Sequence, residues 1–454
     1  MSKTKLFFAI IAVAILATVL YLGKGSARVA AGYKAKILCS EIFVAGRNAD
    51  AVAAADFNNI SPALRFVAYR VDHEDQTVEA SLLGLGRSKA KYRGPIGCTL
   101  FGTGTKSIPD DIARFEKIQS VPFPTSLEGT DKQFSHIDYA SITQTLNDAF
   151  ADETDGHRAI VVIVDGHLVA ERYAEGFSKE TPFLSWSMAK SILATFIGAA
   201  TDRNLLAIHE RAPVSDWAGD DRANITWENL LHMQSGLAFE EDYTSATSDV
   251  INMLYRADNM AAVTINQPAS HDPGQRWYYS SGETNLLARL LQDALKENKI
   301  DLQAFARETI FKPLGAGSFV LETDSMGGFV GSSYVYATPR DWAKVGQLYL
   351  QNGRWNGTQI LSPEWIEYIQ SPAENSDRQY GTHFWLNKSS DDRTAWFQGL
   401  PEDAYFMAGH DGQYVIIIPS KNAVIVRTGI TRHVPPIEVT APVAAALFDA
   451  IGTK

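Results

Sequence analysis

Cysteine is nearly absent: the 454 residues hold two, Cys39 and Cys98. Their spacing is nothing like Cys-x-x-Cys, which argues against a redox pair or a thiolate metal set. Positive charge is also short. Lys and Arg total 41 against 52 Asp and Glu, giving a formal charge of -11 and a pI of about 5.4, a balance that speaks against nucleic acid as the main partner. There is no tandem repeat, no low-complexity tract and no Gly-x-Ser-x-Gly elbow of the α/β-hydrolase kind. His209-Glu210 is followed by no second histidine at helical spacing, so the metal-hydrolase pattern is missing. No cofactor is called for. What remains is ordinary globular material, 45% hydrophobic and 20% charged, long enough for one large domain plus a smaller one.

At the amino terminus Lys3 and Lys5 precede an apolar run from Leu6 to Leu22, broken only by Thr18. The run exceeds a signal-peptide core of roughly 7–15 residues and falls near the short limit of a spanning helix. Residues 1–33 are expected to be a signal anchor in the cytoplasmic membrane, or a signal peptide cleaved near Gly25 and Ala27 or Val29 and Ala31. Either exports the bulk of the chain to the periplasm or another extracytoplasmic space. In an oxidising compartment Cys39 and Cys98 are expected to pair as a disulfide, whose loop contributes ~4 kcal/mol in the chain-entropy model; two buried thiols are the alternative.

Residues 34–130 read as a small β-rich module and linker. From Lys34 to Phe101 the pattern is short and β-like, with a hairpin turning at His73-Glu74-Asp75-Gln76, and a Pro- and Gly-containing stretch follows. Residues 131–454 read as the larger domain. Ser141 is a candidate cap for a helix through Ile142, Leu146 and Ala149. Asp165-Gly166 between two apolar runs signals a hairpin, and the middle of the domain is helical in character. Thr338-Pro339 opens another helix. A second hairpin joins Tyr414–Ile418 to Ala423–Thr428, and Glu438 to Ile451 reads as a last helix. The order implies an α+β fold: one antiparallel sheet built from both ends of the domain, flanked by helices, with a helical lobe inserted.

The stretch that organises this domain is S-W-S-M-A-K-S-I-L-A-T-F-I-G-A-A, Ser185 to Ala200. Ile192, Leu193, Phe196 and Ile197 recur at helical spacing, so a buried helix is expected from about Met188. Ser187 stands at its start and Lys190 one turn on, on the same face. A serine becomes nucleophilic when a neighbour takes its proton, and a lysine kept neutral in an apolar site can do so. The spacing alone is weak: Ser2 to Lys5 and Ser88 to Lys91 match it as well. The bland reading is a capping serine and a solvated lysine.

Company makes the difference. Tyr279-Ser-Ser281 opens an apolar helix, and His410-Asp-Gly412 immediately precedes a strand. With Ser187-Met-Ala-Lys190 these occur in the order and context of the three motifs of serine β-lactamase-like hydrolases, the superfamily of class C β-lactamases and D-alanyl-D-alanine carboxypeptidases. Connecting segments such as Asn229-Leu-Leu-His-Met-Gln-Ser-Gly236 and Leu361-Ser-Pro-Glu-Trp365 resemble that superfamily too, so the likeness covers roughly residues 135–454. It implies a β-lactamase/transpeptidase-like fold, with Ser187, Lys190 and Tyr279 as catalytic residues. Tyr278 competes with Tyr279 for the third place. It further implies the backbone N–H groups of Ser187 and Gln413 as oxyanion donors, with Ser281, His410 and Gly412 lining the substrate side. Lysine and tyrosine are both protonated in water at pH 7, so one must shift by roughly 3 pH units, about 4 kcal/mol, to act as base; which one is open.

Two departures bear on the substrate. His410 stands where β-lactamases and carboxypeptidases typically carry a lysine, and Ser281 where class C enzymes have asparagine. With Ser-Met-Ala-Lys-Ser they resemble the branch of 6-aminohexanoate-dimer hydrolase and related carboxylesterases, in which a loop tyrosine assists the leaving amine. Glu240-Glu241-Asp242-Tyr243 is similar to that loop, making Tyr243 a fourth candidate or an exposed loop aromatic. The expected activity is hydrolysis of small-molecule esters or linear amides through an acyl-enzyme on Ser187. A cell-wall carboxypeptidase or β-lactamase is the alternative within enzymes, and a penicillin-recognising sensor or silent binding module the alternative outside them.

Overall fold

The computed structural model describes residues 25–102, 115–125, 127, 132–389 and 395–452. The apolar run Leu6–Leu22 lies outside them, and among the described residues no helix is long and apolar enough to cross a membrane. The segment expected to be β-like from Lys34 opens instead on helix α1 (residues 25–43), followed by α2 (Ala49–Ala55). Packing explains the difference. Ala27, Ala31, Ala35, Leu38 and Ile42 recur every three or four residues and are all buried, a helical stripe made inconspicuous by its alanines. Ala27, Val29 and Ala31, the small residues suited to cleavage, are thus interior positions of a packed helix.

Four strands follow, β1 (Val67–Asp72), β2 (Thr77–Leu82), β3 (Leu85–Tyr92) and β4 (Cys98–Phe101), paired antiparallel in that order. The β1–β2 turn falls at residues 73–76, where it was expected. Cys39 on α1 is disulfide-bonded to Cys98 on β4. Beside it Lys36 makes a buried ion pair with Glu322, whose other oxygen accepts from Ser40 Oγ (2.8 Å) and the Cys98 N–H (2.7 Å). Apolar contact is shared as well: Leu38, Val52 and Val78 pack in one cluster with Phe239, Leu254, Tyr334 and Tyr336. The segment before residue 102 therefore rests directly on the part of the chain that carries the candidate site.

Helix α3 (Tyr139–Ala149) is capped by Asp138 rather than Ser141. The Asp138 carboxylate accepts from both the N–H (3.0 Å) and the hydroxyl (2.7 Å) of Ser141; two capping residues stand three apart, and the charged one takes the helix end. The hairpin β5 (His157–Val164) and β6 (His167–Tyr173) turns on Asp165 and Gly166, both at positive φ, the geometry that an Asp-Gly pair adopts readily. Further on come β7 (Phe183–Leu184), α4 (Met188–Thr201), α5 (Ser281–Glu297), β8 (Val320–Leu321), β9 (Val335–Ala337) and α6 (Pro339–Leu350). The last elements are β10 (Trp385–Leu386), β11 (Tyr405–Gly409), β12 (Gln413–Ile418), β13 (Ala423–Gly429) and α7 (Pro436–Ala450).

The main sheet has the order β10-β11-β12-β13-β5-β6, every pair antiparallel. Its seam is β13 against β5, with Ile425 opposite Val162, so strands from both ends of the domain close one sheet. Both faces are buried, which is why β5, β12 and β13 read as unbroken apolar runs. Val161, Ile163, Val415 and Val426 face the cluster containing α4 and α6, whereas Ile160, Val162, Ile416 and Ile425 face α3 and α7, the two-residue alternation of a strand. The α+β architecture with a helical insertion is the one the sequence implied.

Candidate active site

The approach to α4 is set by backbone. The Ser185 N–H donates to Val335 O (2.8 Å), Trp186 turns the chain through the left-handed region at φ 47, and Ser187 becomes the N-cap of α4. Its side chain makes no capping bond. Lys190 Nζ donates to Ser187 Oγ (3.1 Å), Ser281 Oγ (3.0 Å) and Ser332 O (3.1 Å). This amine is 1% exposed, and none of those three partners carries charge. Burial therefore lowers its pKa to about 8, against a weaker upward pull from Glu241. The bias toward the neutral amine is about 3 kcal/mol.

The Tyr279 ring lies 4.8 Å from Lys190 Nζ, and Ser187 stands near enough to its phenol to lower the pKa against burial. The ring is wedged between Trp385, stacked at 5.6 Å, and Tyr380, edge-on at 6.0 Å. Burial prevails and pushes the phenol well above the ordinary tyrosine range. Tyr278, the competing tyrosine, turns elsewhere: its hydroxyl accepts from the Glu241 N–H (3.1 Å). Residues 187, 190 and 279 thus meet, although Ser187 and Lys190 open α4 and Tyr279 stands about 90 residues on, just before α5.

Ser281 opens α5 behind its cap Ser280. Its hydroxyl accepts from Lys190 and donates to Glu241, while its N–H donates to Glu241 Oε2 (2.7 Å). Tyr243 donates to the same carboxylate and stands 3.5 Å from Ser281 Oγ. Its ring is stacked on His410 at 5.9 Å, and His410 in turn lies edge-on to Trp186 at 5.6 Å. Tyr243, His410 and Trp186 therefore form one aromatic rim beside Ser187.

The third motif reaches the serine because residue 409 is glycine. A Cβ there would sit 2.1 Å from Ser185 O, so only glycine allows the strand end this near. The loop after it is clamped by two arginines. Asp411, at φ 61, accepts from Arg432 Nε (2.8 Å) and Nη2 (2.6 Å), a bidentate pair. Arg432 Nη1 continues to the carbonyls of Asp56 (2.7 Å) and Asn58 (2.9 Å). Arg427 Nη1 donates to the carbonyls of Asp411 (3.0 Å) and Gly412 (2.6 Å). The side chain of Gln413 points away from Ser187 and bridges His410 O (3.0 Å), Gly429 O (2.6 Å) and the Gly429 N–H (3.1 Å).

Sequence reasoning passed over Glu241, Arg427 and Arg432. Glu241 lies in the acidic run quoted for Tyr243, which was its one available signal; the arginines gave none. It also missed Glu283 on α5, which is buried, accepts from Ser235 Oγ (2.7 Å), and is pushed by burial up to about 8. Taken together, the arrangement offers a hydroxyl at a helix start, an amine able to be neutral near pH 8, and a phenol that stays protonated. That set suits acyl transfer.

A family model described as Beta-lactamase matches residues 146–447, more than half of the chain. A 6-aminohexanoate-dimer hydrolase of Paenarthrobacter ureafaciens is 24% identical over 296 residues, which is 61% of this chain and 74% of that protein. Among solved structures, a family VIII carboxylesterase superposes with a TM-score of 0.55 at 15% identity, covering 70% of this chain and 97% of its own. A class C β-lactamase mutant superposes with a TM-score of 0.53 at 13% identity, covering 70% and 99%. At these identities the two structures speak for the fold.

Proposed function

The chain belongs to the beta-lactamase family, and from that premise we propose that this serine hydrolase cleaves esters or linear amides through an acyl-enzyme on Ser187. The observation that carries the reading is the 3.1 Å hydrogen bond between Ser187 Oγ and a buried Lys190 whose hydrogen-bond partners are uncharged. Ser187 Oγ attacks the carbonyl carbon while Lys190, as the neutral amine, takes its proton. Backbone N–H groups of Ser187 and Gln413 receive the oxyanion. Tyr279, kept protonated by burial, passes a proton to the departing alkoxide or amine as the tetrahedral carbon collapses, and is reprotonated from Lys190. Water then adds to the acyl group by the same route in reverse, leaving acid and free serine.

Tyr243, beside Ser281 and His410, is assigned to assist the leaving group, and the similar protein from Paenarthrobacter ureafaciens is by name a hydrolase of 6-aminohexanoate dimer. His410, in place of lysine, gives a substrate carboxylate only a weak partner, so β-lactams are expected to be poor substrates. The disulfide fits an extracytoplasmic protein, and residues 6–22 supply its anchor. The test is intact-mass labelling with a fluorophosphonate, wild type against Ser187→Ala, followed by p-nitrophenyl esters, short amides and nitrocefin. One adduct on wild type and none on the variant is expected. Labelling that persists without the hydroxyl removes Ser187 from the chemistry, and fast nitrocefin turnover moves the substrate to β-lactams.

A further inference from the structure

Large apolar side chains stand exposed at seven described positions, and three of them lie at one end of the amino-terminal sheet: Phe66 (56%), Leu83 (78%) and Leu85 (48%). The pairing puts them together. Leu83 and Gly84 form the tip between β2 and β3, where Leu82 faces Leu85, and Val67, next to Phe66, faces Leu82. Arg65 and Arg87 are exposed at the same end. The opposite end of the hairpin carries an acidic turn, Asp72, Glu74 and Asp75, with Arg70 and Lys91 beside it. A chain of net charge -11 thus presents one tip that is apolar and basic, some 20 Å along the strands (roughly 3.3 Å per residue) from a charged turn with no exposed large apolar side chain.

The position of this tip is informative. Gly86 lies against the first turn of α1, so closely that a Cβ would come within 2.3 Å of Arg28 N and 2.4 Å of Ala27 C. The described chain begins at Gly25, and the apolar run ends at Leu22. Three residues span at most about 11 Å when fully extended. The run therefore stops three residues in sequence before α1, whose first turn touches β3 beside the tip.

We propose that this tip is the membrane-facing surface of the protein, with Phe66, Leu83 and Leu85 resting in the headgroup region of the bilayer that holds residues 6–22, and Arg65 and Arg87 meeting anionic lipid. Apolar side chains flanked by arginine are the composition that enters a lipid interface. The inference rests on the anchor reading of residues 6–22 and adds the face that the anchored domain turns to the bilayer. It also gives the patch an occupant, where an exposed cluster of this kind otherwise invites aggregation.

The full-length protein, reconstituted into vesicles of phosphatidylethanolamine and phosphatidylglycerol, provides the test. Both native cysteines are in the disulfide, so Leu83→Cys takes an environment-sensitive fluorophore selectively, and Asp75→Cys in the acidic turn serves as reference. Expected are flotation with the vesicles and loss of emission from the label at 83, but not at 75, when doxyl lipid is included. Equal emission at the two sites in floated protein overturns the proposal and leaves the anchor standing. A label at 83 that is shielded yet untouched by doxyl lipid also overturns it, because a second copy or another segment then covers the tip. Failure to float overturns the anchor and this surface together, while fluorophosphonate labelling of Ser187 reports on the hydrolase reading independently.

Discussion

Two lysines are buried to the same extent, 1% exposed each, at two places in the molecule. Lys36, on α1, meets the Glu322 carboxylate and lies 4.1 Å from the Tyr334 ring. Lys190, on α4, meets two hydroxyls and a carbonyl. Burial lowers both amines; at Lys36 the Glu322 carboxylate opposes it in direct contact, whereas Glu241 acts on Lys190 from behind Ser281. Partner charge, not depth, is what differs between a lysine that fastens two segments and one set against a serine hydroxyl.

The comparison breaks most visibly if Lys190 is fixed as a cation. Lys190→Arg preserves charge and cannot lose its proton, so kcat for a p-nitrophenyl ester is expected to fall by about 10²–10⁴, as for loss of a general base, and Lys190→Ala to fall as far. An arginine variant that keeps more than a tenth of the activity would refute the amine as base. Next in size is the converse change. Glu322→Gln leaves Lys36 buried without its paired carboxylate and is expected to cost about 3–5 kcal/mol in urea unfolding; a loss within error would mean that Ser40, the Tyr334 ring and the more distant Glu41 suffice to hold Lys36.

The smallest effect sharpens the comparison. Below its pKa Lys190 holds a proton and cannot accept another, so kcat/KM should rise with pH through a limb centred at about 8. Glu241 pulls that value upward, and removing its charge in Glu241→Gln is expected to move the limb to lower pH. A limb that stays in place would show that the carboxylate serves Ser281 and Tyr243 only.

Legibility in the sequence follows the range of the interactions involved. Helix α4, the Asp165-Gly166 hairpin and the Thr338 cap were readable because each is written within a few residues: a 3.6-residue stripe, a turn pair, a capping oxygen. Ser187, Lys190 and Tyr279 were readable by motif order, and the structure brings their side chains together. Helix α1 was misread because its buried stripe is largely alanine, and its helicity is secured by contacts with residues more than 200 positions away. Glu241 and Arg432 were invisible for the same reason. Arg432 joins Asp411 to the carbonyls of residues 56 and 58, and no local pattern announces a clamp between segments so distant.

The seam of the main sheet bears on how such a chain is made. Strand β5 must wait for β13, which lies near the carboxyl terminus, and a contact of such long range forms late. Until it does, a strand that is apolar from Ala159 to Val164 presents an open hydrogen-bonding edge, the surface on which unfinished chains adhere to one another. A nascent chain, made amino end first, would thus spend most of its synthesis with that edge uncovered, and early termination would yield a sticky fragment rather than a smaller enzyme.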